Sequence, residues 1–295
     1  MSTKFAAKPA LSILGPRDME LGPFATGEAQ QDGSPWANWR LRTDEDGVAW
    51  LLFDKKDASA NTLSEETLTE LNSVLDKVEH DRPRGLVIRS AKRSGFIAGA
   101  DIAQFKGVTD TAPIEATLTK GHAVLDRLDK LPLPTIAVIH GYCLGGGLEV
   151  ALACDFRIAA ESAKLGDTSL KFGLIPDEGG AYFFPRFMGV DKALKMSLLS
   201  EVYTARQALE LGLVTEVVAD EELMARAHEL AARLAEGPPI AIRVTKRMMY
   251  KQRSMQLDNA LEDAAMATLV TNYTDDVKEG TAAFHEKRKP QFKGK

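Results

Sequence analysis

The segment Ile139-His140-Gly141-Tyr142-Cys143-Leu144-Gly145-Gly146-Gly147-Leu148-Glu149 constrains the fold more than any other. The apolar run Thr135-Ile136-Ala137-Val138-Ile139 reads as a buried strand, and Leu148 to Ala153 begins a helix. A strand that enters a helix through consecutive glycines leaves bare backbone at the corner and unpaired N–H donors at the helix start. Such a corner is either a tight connection or a seat for a phosphate or a developing oxyanion. The phosphate motifs do not fit. No Lys follows the glycines as G-x-x-x-x-G-K-[ST] requires, and Val150 stands where G-x-G-x-x-G needs its last Gly. Three glycines in a row with an acid, Glu149, in the first helical turn favour a functional corner over a plain connection.

A second bare-backbone stretch, Ser94-Gly95-Phe96-Ile97-Ala98-Gly99-Ala100-Asp101-Ile102, follows the strand Gly85-Leu86-Val87-Ile88-Arg89. Asp101 is placed to cap a following helix, and alone this stretch would be a loop with its cap. Upstream, Trp39 to Arg42 and Gly47 to Phe53 read as two strands joined at the Asp44-Glu45-Asp46-Gly47 turn. Leu68, Leu71, Val74, Leu75 and Val78 share one face of a helix over 63–79, with Ser64 as N-cap. A helix follows around 114–128, then strands at 156–160 and 164–166. From Asp191 onward the pattern is helical, over 192–199, 204–211, 221–235, 240–251 and 257–271. Strands alternating with helices and then helices alone predict an α/β domain followed by a helical segment.

Composition narrows the function classes. Over 295 residues, 37 basic and 42 acidic side chains give a net charge of -5, against the basic face that nucleic-acid or membrane-surface binding wants. Two cysteines, Cys143 and Cys154, make neither a disulfide scaffold nor a cysteine metal site and fit a reducing compartment. No apolar run is long enough to span a bilayer. The N-terminus lacks an apolar secretory segment, so a cytoplasmic location is expected. Residues 1–36 carry no sustained period and read as a loose arm, with a partner subunit as one place for it to dock.

The two corners, in this order, resemble the crotonase (enoyl-CoA hydratase/isomerase) family. Phe96 to Ile102 resembles its first oxyanion segment, and Gly141 to Glu149, continuing to Asp155, its signature. Gly173-Leu174-Ile175-Pro176-Asp177-Glu178-Gly179-Gly180 resembles a third block, and Glu279 to Phe292 the family's C-terminal end. The likeness runs from about Trp39 to Lys295. It implies an α/β, crotonase-like ββα superhelix, with an arm at 1–36, a core at 37–230 and a helical C-terminal region at 231–295 for trimerisation. A homotrimer or a dimer of trimers is expected.

The resemblance also implies the chemistry. Family members bind an acyl-CoA thioester and stabilise an enolate through two backbone N–H groups, which here match Ala100 and Gly146. Glu149 matches the first catalytic carboxylate of the hydratases. Their second Glu falls at Ser169, which cannot serve as an efficient acid at neutral pH. Asp177 falls where several double-bond isomerases carry an acid, although an Asp-Glu pair before Gly179-Gly180 is also ordinary turn chemistry. Glu178 is given no role, being expected to point elsewhere. Glu149 with Asp177 tilts the expectation toward enoyl-CoA isomerisation, with hydration as the alternative and a non-catalytic acyl-CoA-binding scaffold as a rival.

For the CoA moiety, the resemblance points to Ala98, Ala100, Asp101 and Ile102, with Phe284 and Lys287 reaching the nucleotide from an adjacent subunit. No cofactor beyond the CoA of the substrate is implied. The acyl pocket is expected to involve the loop 106–114. Five histidines without H-x-x-x-H or H-E-x-x-H spacing give no metal site. His140 is read as packed or hydrogen-bonded, and both cysteines as buried small hydrophobes.

Overall fold

The computed structural model describes residues 35–105 and 111–295. Most of the arm and part of the loop 106–114 lie outside them. Trp36, counted with the arm in the sequence reading, is buried in the main core and donates from Nε1 to Ser73 Oγ at 3.1 Å.

In chain order the first half runs β1 (Trp39–Thr43), β2 (Val48–Phe53), α1 (Glu65–Asp81), β3 (Gly85–Ser90), β4 (Gly95–Ile97) and α2 (Thr111–Lys130). Then follow β5 (Thr135–Ile139), β6 (Tyr142–Leu144), α3 (Gly146–Leu152), β7 (Phe156–Ala160) and β8 (Lys164–Gly166). The second half holds α4 (Gly180–Met188), α5 (Val190–Leu199), β9 (Val202–Thr204), α6 (Ala205–Glu210), β10 (Glu216–Val218), α7 (Leu223–Ala235), α8 (Pro239–Lys251), α9 (Leu257–Asn272) and α10 (Asp275–Glu286).

Six strands form one sheet in the order β1-β2-β3-β5-β7-β10, parallel except for the β1–β2 hairpin. A parallel sheet is covered on both faces, so its strands are apolar throughout and their alternate residues feed two cores. Ala49, Leu51, Phe53, Leu86, Ile88, Ala137 and Ile139 enter the larger core with α1 and α2. Val48, Trp50, Val87, Ile136 and Val138 face the other way, onto the apolar stripe Leu223, Met224, Ala227, Ala231 and Ala235 of α7.

Successive ββα units lay their second strands into another sheet, β4-β6-β8-β9. Strands β4 and β6 are parallel, with Gly95 opposite Tyr142 and Ile97 opposite Cys143. This pairing sets the two glycine-rich corners side by side.

The short strands β4 and β6 were not legible as strands, because three residues show no alternation. The sequence reading also assigned no helix over α4. Gly179 precedes this helix, Gly180 opens it and Pro185 lies inside it, yet Phe183, Phe184 and Met188 are buried by it. Ser64 caps α1 as expected, in a reciprocal box with Thr67.

Candidate active site

The first corner is held by a second chain segment. Leu63 N–H donates to Gly99 O at 2.9 Å and Asp101 N–H to Leu63 O at 2.7 Å, which is a parallel bridge between Leu63 and Ala100. In that pattern the amide of Ala100 itself faces the opposite edge, where the 141–147 turn lies. Ala98 N–H donates to Asn61 O, and the Asn61 side chain reaches Phe53 O, Ser90 Oγ and Phe96 O. Asn61 therefore pins the corner to the ends of β2 and β3.

Lys55 Nζ lies 2.6 Å from Asp101 Oδ2 and 2.7 Å from Thr62 Oγ1. This contact, more than the accompanying burial, keeps the Asp101 carboxyl below its ordinary range. Asp101 Oδ1 also accepts from Ala103 N–H, the capping role expected from sequence.

At the second corner Gly145 takes φ +50° and ψ -125°, a backbone that favours glycine. Gly146 opens α3, where a helix cannot satisfy its own N–H groups. The corners are close: a Cβ on Gly145 would lie 3.8 Å from Gly99 Cα, and one on Gly99 3.3 Å from Leu144 O.

Glu149 is buried, and its Oε1 accepts a hydrogen bond from Gly180 N–H at 2.5 Å. Burial first and the neighbouring Glu178 next push its carboxyl well above the usual range, against the lowering effect of the Gly180 bond. A Cβ on Gly146 would meet Glu178 Oε2 at 2.9 Å and Glu149 Oε2 at 3.6 Å, so the two carboxylates converge over that glycine. Glu178, to which the sequence reading gave no role, thus turns into the site. Its Oε2 is buried without a hydrogen-bond partner among the described residues, and burial with the nearby Asp177 charge raises its pKa to about 7. No sequence signal marked it, since an acid after Pro-Asp reads as turn.

Asp177 is partly exposed, and its carbonyl accepts from His122 Nε2 at 2.5 Å. Burial raises its carboxyl as well. Ser169 Oγ donates to Asp167 Oδ1 at 2.6 Å, beside Gly145. Asp167 is fully buried, with Oδ2 unpartnered among the described residues, a second acid that sequence reasoning missed.

Of the residues expected to contact CoA, Ala98 and Ile102 are exposed while Ala100 and Asp101 are partly so, all on the first corner. Phe284 and Lys287, both exposed, lie at the end of α10. His140 is partly buried and bonded to Lys92 O, with its pKa lowered chiefly by desolvation. Both cysteines are buried, and burial pushes the Cys154 thiol up to about 12. Among the described residues no group of three His, Cys, Asp or Glu is placed to hold a metal, and no helix is long and apolar enough to cross a membrane.

Known proteins share this chain's sequence pattern and backbone. The enoyl-CoA hydratase/isomerase family model matches residues 43–295. A probable enoyl-CoA hydratase of Bacillus subtilis (strain 168) is 39% identical over 236 residues, covering 80% of this chain and 92% of the relative. The fatty acid oxidation complex subunit alpha of Shewanella sp. (strain ANA-3) is 39% identical over 196 residues, and the match spans 28% of that longer protein. The crystal structure of an enoyl-CoA hydratase from Bacillus anthracis superposes with a TM-score of 0.83 at 34% identity, over 88% of this chain and 100% of that one. A buried carboxylate at the junction of two bare-backbone corners sits, then, on a backbone shared with enoyl-CoA hydratases, and the chain belongs to the enoyl-CoA hydratase/isomerase family.

Proposed function

We propose that this protein binds an enoyl-CoA thioester, gathers the negative charge of an enolate on two backbone amides, Ala100 and Gly146, and moves a proton with Glu149. The single observation that carries this reading is the buried Glu149 carboxyl directly beside the Gly146 corner. Fixed N–H dipoles aimed at developing charge need no reorganisation, and one such donor is worth about 3 kcal/mol. A carboxyl held above its usual range by burial is suited to exchanging a proton with carbon near neutral pH.

Isomerisation is the preferred reaction. Ser169 Oγ is committed to Asp167 and offers no second carboxylate at that position. The turn 176–180 supplies acids on the other side. In the alternative reading Glu149 activates water for hydration. The substrate's CoA is the only cofactor-like group, held along Ala98 to Ile102. Phe284 and Lys287 would reach the nucleotide of an adjacent subunit in a homotrimer or a dimer of trimers. Helix α9 supports such an assembly: it buries only Ala267 and exposes Leu257, Leu261, Met266, Leu269 and Val270.

The test is a panel of 2-enoyl- and 3-enoyl-CoA thioesters incubated in heavy-oxygen water. A shifted alkene without label means isomerisation, and label in the product means hydration. Glu149→Gln is expected to abolish either reaction, and turnover unchanged by it rejects the reading.

A further inference from the structure

We propose that Glu178 is the second catalytic carboxylate of this site, so that Glu149 and Glu178 together remove a proton from one carbon of an enoyl-CoA and return one to another. The proposal rests on the enolate reading above and deepens it. Three geometric facts carry it. Both carboxylates reach within 3.6 Å of one point over Gly146, the residue whose amide is assigned to the thioester oxygen. Glu178 Oε2 is buried and has no hydrogen-bond partner among the described residues, a state that costs free energy unless a ligand uses the oxygen. Glu149, in contrast, spends Oε1 on Gly180 N–H, which fixes its orientation and leaves Oε2 toward the shared point.

The neighbouring acid is placed differently. The carbonyl of Asp177 is tied to His122, and its carboxylate, whose charge acts on both Glu149 and Glu178, is not among the three atoms nearest the point over Gly146. Of the two consecutive acids, it is Glu178 whose carboxylate oxygen lies nearest that point. Gly121 on α2 lies alongside, 3.7 Å from Glu178 Oε1 by its would-be Cβ, so the absence of a side chain there makes room for the carboxylate.

The step balances without any further reactant. In a 3-enoyl-CoA the Cα–H bond breaks, its proton passes to one carboxylate, and its electron pair spreads over the dienolate to the thioester oxygen. The other carboxyl group gives its proton to Cγ, forming the new C–H bond and the conjugated 2-enoyl product. A proton then passes between the two carboxyl groups, or through solvent, to restore the resting state. Burial raises both carboxyls above their ordinary range, Glu178 to about 7, and the repulsion between two such neighbours favours one shared proton over two charges near neutral pH.

The probe is 3-hexenoyl-CoA in deuterated water, with double-bond migration and α-hydrogen exchange followed separately. Migration is expected to fall at least about a hundredfold in both Glu149→Gln and Glu178→Gln. One of the two is expected to keep α-hydrogen exchange while the other loses it. Asp177→Asn is expected to lose less migration than Glu178→Gln, and the limb of the kcat profile near pH 7 to disappear in Glu178→Gln. Migration within about threefold of wild type in Glu178→Gln overturns the proposal, as does a loss confined to Asp177→Asn. Should the Gln variant fail to fold, Glu178→Asp decides: a shifted limb supports the assignment and an unmoved one overturns it. A wild-type protein that neither migrates the double bond nor exchanges α-hydrogen overturns the enolate reading instead, and this proposal with it.

Discussion

The amide of Gly180, first residue of α4, donates to Oε1 of Glu149, in α3, at 2.5 Å. One helix start thereby holds the acid carried by another. The contact tolerates no side chain, because a Cβ on Gly180 would lie 2.5 Å from Glu149 Oε1 and 2.6 Å from both Phe184 Cε2 and Pro176 Cβ. Gly180→Ala is expected to destabilise the fold by about 1–3 kcal/mol through overpacking. It should also lower kcat by about a hundredfold by displacing the carboxyl. Thermal unfolding and steady-state kinetics on the same preparation separate the two effects.

Glu178 makes stability depend on pH with an unusual sign. Its folded-state pKa, about 7, lies above the ordinary 4.5, so the folded chain holds more protons than the unfolded chain between these values. Stability is therefore greatest below about pH 4.5 as far as this group is concerned, and falls as pH rises through about 7. The fall amounts to about 3 kcal/mol. Glu178→Gln is expected to remove that slope and to be more stable than wild type at pH 8, even as it loses activity. Denaturant titrations across the range read both, and a variant with the wild-type slope contradicts the assignment.

Asp54 is shared by two buried cations, with Oδ2 2.7 Å from Arg40 and Oδ1 2.7 Å from Lys92. All three side chains are buried. Asp54→Ala leaves two positive charges in the interior without their common partner and is expected to cost about 3–5 kcal/mol. Chemical denaturation measures it. Asp54→Asn should fall between that variant and wild type, since it restores hydrogen bonds and not charge.

Asn61 ties the first corner to the strands behind it through both its side chain and its carbonyl. Asn61→Ala strips bonds from several buried backbone groups at once and is expected to destabilise by about 2–4 kcal/mol. Because Ala98 and Ala100 sit on the freed segment, kcat should drop further than stability alone explains. A KM little changed beside a reduced kcat would mark a donor displaced in the transition state.

Periodicity carried much of the architecture into the sequence. The apolar run of β2, the helical face of α1 and the Ser64 cap, and the glycine run before Glu149 could each be read from neighbours a few residues away, because each is a local consequence of backbone geometry. Residue type at the glycine corner pointed to unpaired amides there, whereas the choice of Ala100 and Gly146 came from the family resemblance. The inward turn of Glu178, the burial of Asp167 and the fit of α4 around Pro185 depended on segments distant in the chain, and no local pattern encodes which of two adjacent acids faces a cavity. What the sequence determined alone was that two bare-backbone corners exist and that an acid follows one of them. Only the tertiary structure decided that the corners meet through the β4–β6 pairing and which carboxylates converge there. Distances between segments are set by the packing of whole sheets, which no short run of residues contains.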